Sequence, residues 1–291
     1  MPNSESPVIA LCWGTLIGIP LEQLIAAAAH HHIGAITLTS PMYEAARRSG
    51  ASVAGLRRRL EDSGLTVHAI DPLIGALPGT PKPADVPAEN RAYFEITEDD
   101  CYRAAADLQA ETINLAHFGG SDVTEAQFVD CLGPLAGRAQ AHGLRLTLEF
   151  LPESSIPDLA TAQRIVGAVG APNLGLMFDT WHFARSGGTL AQLAALPKGL
   201  VTGVQISDRV PPAPGTAYTP MFGRLLPGEG ELPLVEWLTV ILRRDPALTI
   251  GVEVFSEELV ALSPEKASGR VAGSTRGVLS RVQRSLSASS H

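Results

Sequence analysis

Segments 144–149, 174–178, 201–206 and 248–254 carry oxygen-bearing side chains at or beside their C-terminal ends: Glu149, Asp179, Gln205 and Glu253. Segment 144–149 alternates, with Leu144, Leu146 and Leu148 on one face and Arg145, Thr147 and Glu149 on the other, as a β-strand requires. Leu148, Phe178, Val204 and Val252, each next to a polar candidate, are expected to face away from it. Two positions before each candidate stand Thr147, Met177, Gly203 and Gly251, three of them small, which leaves interior room for a coordination sphere. Each polar residue alone is ordinary at a strand end, but their recurrence on consecutive strands favours a site. Buried carboxylates are costly unless paired or metal-bound, and converging ones repel. Two glutamates, an aspartate and an amide are hard oxygen donors, suited to one divalent cation: Mn²⁺ first, with Mg²⁺ or Co²⁺ as alternatives. On an octahedral ion they leave two adjacent positions, which the neighbouring oxygens of a hydroxy-ketone can fill.

Other residues gather around these ends. His182 lies three residues beyond Asp179 and is a candidate for substrate contact or proton transfer. His117, Arg224 and Trp13 are candidate substrate contacts, with Arg224 able to neutralise an enolate or anion and Trp13 able to form an apolar wall. The tract His30-His31-His32 looks metal-binding, but it closes the first helix on the opposite face and is expected to be solvated surface. Segment 227–230, Pro-Gly-Glu-Gly, is expected to be a turn rather than a phosphate cradle.

The elements that must position these groups alternate along the whole chain. Strands are expected at 8–13, 35–39, 66–70, 112–115, 144–149, 174–178, 201–206 and 248–254. Helices are expected at 21–32, 53–63, 98–109, 124–141, 159–169, 190–196, 234–243 and 264–285. Such strand–helix units point to an α/β chain forming a single (β/α)8 barrel over residues 1–291, with 1–7 and 285–291 as frayed tails. An open doubly wound sheet would carry a glycine-rich fingerprint after its first strand, which segment 12–18 lacks. The long connections 71–97 and 207–231 fall on the face where such barrels keep their chemistry, suggesting a covered pocket.

Composition narrows the partners. With 22 Lys and Arg against 30 Asp and Glu the net charge is -8, which disfavours nucleic acid. Cys12, Cys101 and Cys131 are odd in number and far apart, as expected of reduced thiols. No apolar run reaches the roughly 20 residues of a membrane span. A cytoplasmic location without membrane partners is expected; homo-oligomerisation is left open.

Glu149 with Pro152, the run Asp179-Thr180-Trp181-His182, the run Gln205-Ile206-Ser207-Asp208, and Glu253 resemble the xylose isomerase-like TIM barrels. That superfamily includes sugar phosphate isomerases/epimerases, ketose 3-epimerases, inosose dehydratases and 3-dehydroshikimate dehydratases. The resemblance implies one divalent cation on Glu149, Asp179, Gln205 and Glu253, proton exchange by the two glutamates, and substrate contact by His182. Ketose 3-epimerases usually carry histidine at the position of Gln205 and glutamate at that of Ser155. Gln205 with segment 224–230 is more similar to the dehydroshikimate dehydratases, but their Pro-Phe-Arg segment is replaced here by 70–74, Ile-Asp-Pro-Leu-Ile. The expected activity is isomerisation or epimerisation of a keto-sugar or related polyol, a polyhydroxy carbonyl compound, through a metal-stabilised enediolate. The alternatives are a dehydratase of the 3-dehydroshikimate or inosose type and a non-catalytic sugar-binding barrel.

Overall fold

A computed structural model describes residues 6–118, 122–210 and 223–288. Residues 1–5 and 289–291 of the expected tails, and 211–222 of the second long loop, lie outside the described residues. The barrel strands are β1 (Ile9–Leu11), β2 (Ala35–Leu38), β3 (Thr66–Leu73), β4 (Thr112–Ala116), β5 (Arg145–Glu149), β6 (Leu174–Asp179), β7 (Val201–Ile206) and β8 (Ile250–Val252). They pair in parallel and in sequence order, and β8 closes on β1. This is a (β/α)8 barrel, as expected. No described helix is long and apolar enough to cross a membrane.

Local sequence sets the helix ends. Thr97, Thr124 and Thr189 each form a reciprocal capping box, satisfying backbone donors that the first turn leaves open. Leu159–Val169 ends on Gly170 at φ 65°, a left-handed cap that glycine adopts without strain. The outward strand residues pack on this helical layer: Phe178 lies 5.0 Å from Phe183 and 6.4 Å from Trp237, ring centre to ring centre.

The structure differs from expectation in several places. Helix Ser40–Arg48 was not anticipated; Thr39 caps it through the Met42 amide, and a proline in its first turn costs no hydrogen bond. Strand β3 runs to Leu73 instead of ending at residue 70, with its register to β4 shifted between Ile70 and Leu73. Helix Pro264–Ala288 takes in residues 285–288, which were expected to fray. Trp13 belongs to the 3-10 turn Trp13–Leu16 rather than to β1.

Register explains how the site is staggered. Glu149 pairs with Met177 and Met177 with Gly203, while Asp179 pairs with Gln205 and Gln205 with Gly251. Glu253 follows two residues beyond Gly251. The small interior residues do not hold open a coordination sphere, however. A Cβ on Gly203 would meet Met177 Cε at 2.7 Å, and one on Gly251 would meet the Val204 carbonyl oxygen at 2.9 Å and Cys12 Sγ at 3.0 Å. Neighbouring side chains and strands already use that space.

Because Met177 is flexible and the Val204 backbone is not, Gly251→Ala should destabilise more than Gly203→Ala, by about 1–3 kcal/mol. Urea unfolding of both variants measures this; equal losses would contradict the packing account.

Candidate active site

The strand ends bring Glu149, Asp179, Gln205 and Glu253 into the barrel mouth, all buried. Ligand atoms of Glu149, Asp179 and His182 lie within 4.8 Å of one another. Asp179 also caps the helix Thr180–Arg185: Oδ1 accepts from the amides of Trp181 at 2.6 Å and His182 at 3.1 Å. That cap swings His182 back over the mouth, with Nε2 3.5 Å from Glu149 Oε1.

Arg224 enters from the second long loop. Its Nη1 donates to Asp179 Oδ2 at 2.9 Å and lies 3.4 Å from Glu253 Oε2, while Nη2 lies 3.4 Å from His182 Nε2. A guanidinium has only donors, so the facing imidazole nitrogen is the one with the lone pair. The guanidinium also sits 5.5 Å from the Trp181 ring centre and 5.1 Å from that of Phe255. The loop is held at its base, where Asp208–Arg209 pairs antiparallel with Arg224–Leu225. Asp208 accepts from the amides of Arg209 at 2.8 Å, Gly228 at 3.0 Å and Leu232 at 2.9 Å. Segment 227–230 is thus a turn, as expected, and its Gly228 amide is taken by a resident carboxylate rather than turned to a phosphate.

Two further polar residues are buried beneath the mouth, and neither was singled out from sequence. Asp71 on β3 accepts from Asn114 Nδ2 and from Gln205 Nε2, each at 2.9 Å. Asn114 Nδ2 also donates to Glu149 Oε2 at 2.8 Å, and Thr147 Oγ1 donates to Asn114 Oδ1 at 2.8 Å. Asp71 followed by Pro72 reads as a turn, and Asn114 hides in an apolar run. The alternation of Thr112 and Asn114 along β4 was an available signal, whereas Asp71 falls out of phase with Thr66 and His68 on β3.

Electrostatics follow from this crowding. Burial, then Asp71, Asp179 and Glu253, push the Glu149 carboxyl well above the usual carboxylate range. Burial pushes Glu253 up to about 8, against the pull of Arg224, and raises Asp71 to about 6 against its amide bonds. Burial also works to raise Asp179, but Arg224 and His182 outweigh it and keep its carboxyl below the ordinary value. Burial lowers the His182 imidazole to about 4, leaving it neutral at pH 7.

The remaining candidates divide. Trp13 packs on Tyr93 and Phe255, with ring centres 5.4 and 5.9 Å away, so it joins the wall on which Arg224 rests. His117 is buried, but its Nε2 meets the Pro78 carbonyl oxygen at 3.0 Å and its ring packs on Phe128. Those contacts tie it to a loop rather than to the acidic cluster. In the histidine tract, His30 pairs with the Glu265 carboxylate at 3.0 Å and His31 meets the Glu265 carbonyl at 2.8 Å, so the tract docks the last helix.

The family model for the xylose isomerase-like TIM barrel matches residues 25–276, and the chain belongs to that family. An inosose isomerase of Halalkalibacterium halodurans is 27% identical over 157 residues, 53% of this chain and 54% of that protein. The chain thus spans about half the length of the inosose isomerases it matches. A Streptomyces coelicolor protein with a provisional hydroxypyruvate isomerase name is 26% identical over 81% of this chain and 85% of its own length. Among solved structures, the IOLI protein with a binding zinc atom superposes with a TM-score of 0.81 at 19% identity, covering 94% of this chain and 98% of that one. This structural likeness shows the fold.

Removing Arg224 strips the counter-charge from buried Asp179 and a hydrogen-bond donor from Glu253. In chelator, Arg224→Ala is expected to lose about 3–5 kcal/mol of stability, the usual cost of breaking a buried pair. Chemical denaturation measures it, and a loss below about 1 kcal/mol, the range of an exposed pair, would contradict the placement.

Proposed function

We propose that the protein is a divalent-cation-dependent isomerase or epimerase of a keto-sugar or related polyol. Glu149, Asp179, Gln205 and Glu253 would hold the cation, with Mn²⁺ the first choice. The observation that carries this reading is the convergence of Glu149 and Asp179, with His182, within 4.8 Å, together with Glu253 joined to Asp179 through Arg224 and a buried Gln205 Oε1 that has no hydrogen-bond partner.

The donor set fits a cation by its remaining lone pairs. A carboxylate offers about four acceptor sites. Asp179 uses two on Oδ1 and one on Oδ2, Glu253 uses one on Oε2 and Glu149 one on Oε2, so each retains capacity. When bound, such a cation supplies Lewis-acid polarisation of a chelating carbonyl and its neighbouring hydroxyl.

The chain's own groups do the rest. One glutamate of the pair Glu149 and Glu253 removes the proton beside the carbonyl, a general-base contribution of about 10²–10⁴ in rate. Return of the proton to the opposite face inverts the centre; return to the neighbouring carbon moves the carbonyl. Neutral His182 contacts a substrate oxygen and shuttles its proton, while Arg224 offsets negative charge developing there. Trp13 and Phe255 wall the pocket against water. The inosose and hydroxypyruvate isomerase names among the relatives support a substrate with a hydroxyl beside a carbonyl.

The test is solvent deuterium exchange across ketoses, inososes and dehydroshikimate with Mn²⁺-loaded protein. Metal-dependent exchange with return of an isomer or epimer supports the reading. Loss of water makes the same site a dehydratase, and tight sugar binding without exchange makes the protein a binding module.

Glu253→Gln keeps an oxygen donor and removes the base, so Mn²⁺ should be retained while turnover falls about 10²–10⁴-fold. Unchanged turnover removes Glu253 from the mechanism. In the cation-free chain burial raises both Glu149 and Glu253, Glu253 to about 8, so Glu253 holds a proton at pH 7 that a cation must displace. Calorimetry in buffers of different ionisation enthalpy should therefore register proton release, with affinity weakening as pH falls below about 8. Binding independent of pH would contradict this.

A further inference from the structure

The buried carboxylate of Asp71 takes no part in the proposed chemistry, yet two amides are fastened to it. Gln205 Nε2 donates to one oxygen and Asn114 Nδ2 to the other, both at 2.9 Å. The second hydrogen of Asn114 Nδ2 goes to Glu149 Oε2 at 2.8 Å. An ionised carboxylate only accepts, so it receives an amide by its nitrogen and never by its oxygen. Asp71 therefore decides which end of Gln205 is left over, and that end is Oε1, buried and without a partner. A flipped amide would present NH2 instead, which has no lone pair to give a cation.

We infer that Asp71 is a positioning residue of the cation site. It fixes Gln205 Oε1 as a donor and, through Asn114, holds the Glu149 carboxylate in place. This rests on the reading of the site proposed above. Partners of this kind, one bond removed from the ion, typically account for 10–100-fold in affinity.

A double-variant cycle tests it, read by Mn²⁺ calorimetry and by the visible spectrum of bound Co²⁺. Asp71→Asn removes the charge and admits either amide orientation, so Mn²⁺ binding should weaken about 10–100-fold and the Co²⁺ spectrum should change. Gln205→Glu alone sets two carboxylates at hydrogen-bond distance. Combined, the new asparagine amide can donate to the new carboxylate, and the pair of changes should bind at least about tenfold tighter than the sum of the single losses allows. Should Asp71→Asn not fold, Gln205→Glu is compared with the double variant, where the second change must tighten binding. Purely additive effects, or Asp71→Asn binding Mn²⁺ like wild type with an unchanged Co²⁺ spectrum, would overturn the inference. If Asp179→Asn abolishes binding while Asp71→Asn leaves it intact, only the role of Asp71 falls. If wild-type protein binds no divalent ion, the cation site falls with it.

Discussion

Four carboxyl groups, Asp71, Glu149, Asp179 and Glu253, are buried together at and just beneath one barrel mouth, and the cost of that burial, increased by their mutual repulsion, shapes what is built around them. Strand register leaves them no escape, because the interior side of β5 and β6 and the segment beyond β8 aim at the same volume. Among the described residues, the guanidinium of Arg224 contacts this cluster directly, bridging Asp179 and Glu253. Burial, with the neighbouring carboxyls, raises Glu149 and Glu253 and so favours their neutral forms. In the proposed reading a divalent cation would answer the same repulsion more fully, which links the energetics of the fold to the proposed chemistry.

The scaffold meets this constraint with rigid supports rather than with space. Thr15 Oγ1 donates to the Val252 carbonyl and accepts from the Val254 amide, both at 2.9 Å, pinning the chain on either side of Glu253. Thr180 and Ser207 exchange a side-chain and a backbone bond of 2.8 and 2.9 Å, joining the ends of β6 and β7. Asp208 gathers the base of the loop that delivers Arg224. Each polar link fixes the chain next to a charged group, so the acidic cluster sits on short, braced strand ends rather than on free loops.

Much of this was legible in the amino-acid order. Short apolar strands alternating with helices from one end to the other specify the barrel, because a strand such as 144–149, with leucines on one face, must bury that face against a helix. Glu149, Asp179, Gln205 and Glu253 stood out because polar groups recurred at equivalent strand ends. Asp71 did not, since an aspartate before a proline looks like a turn, and only the pairing of β3 with its neighbours shows the strand continuing to Leu73. Helix Ser40–Arg48 was obscured in the same way by Pro41, a breaker in a helix interior but harmless in a first turn. The role of Gly203 and Gly251 also lay beyond sequence, because what fills the space beside a glycine depends on strands far away in the chain.

The most direct measurement is a crystal structure of Mn²⁺-soaked protein with anomalous scattering at the manganese edge. The expected result is one peak in the barrel mouth, contacted by oxygens of Glu149, Asp179, Gln205 and Glu253. A mouth without a peak, or manganese held only elsewhere, such as on the His30–His32 tract, would contradict the account.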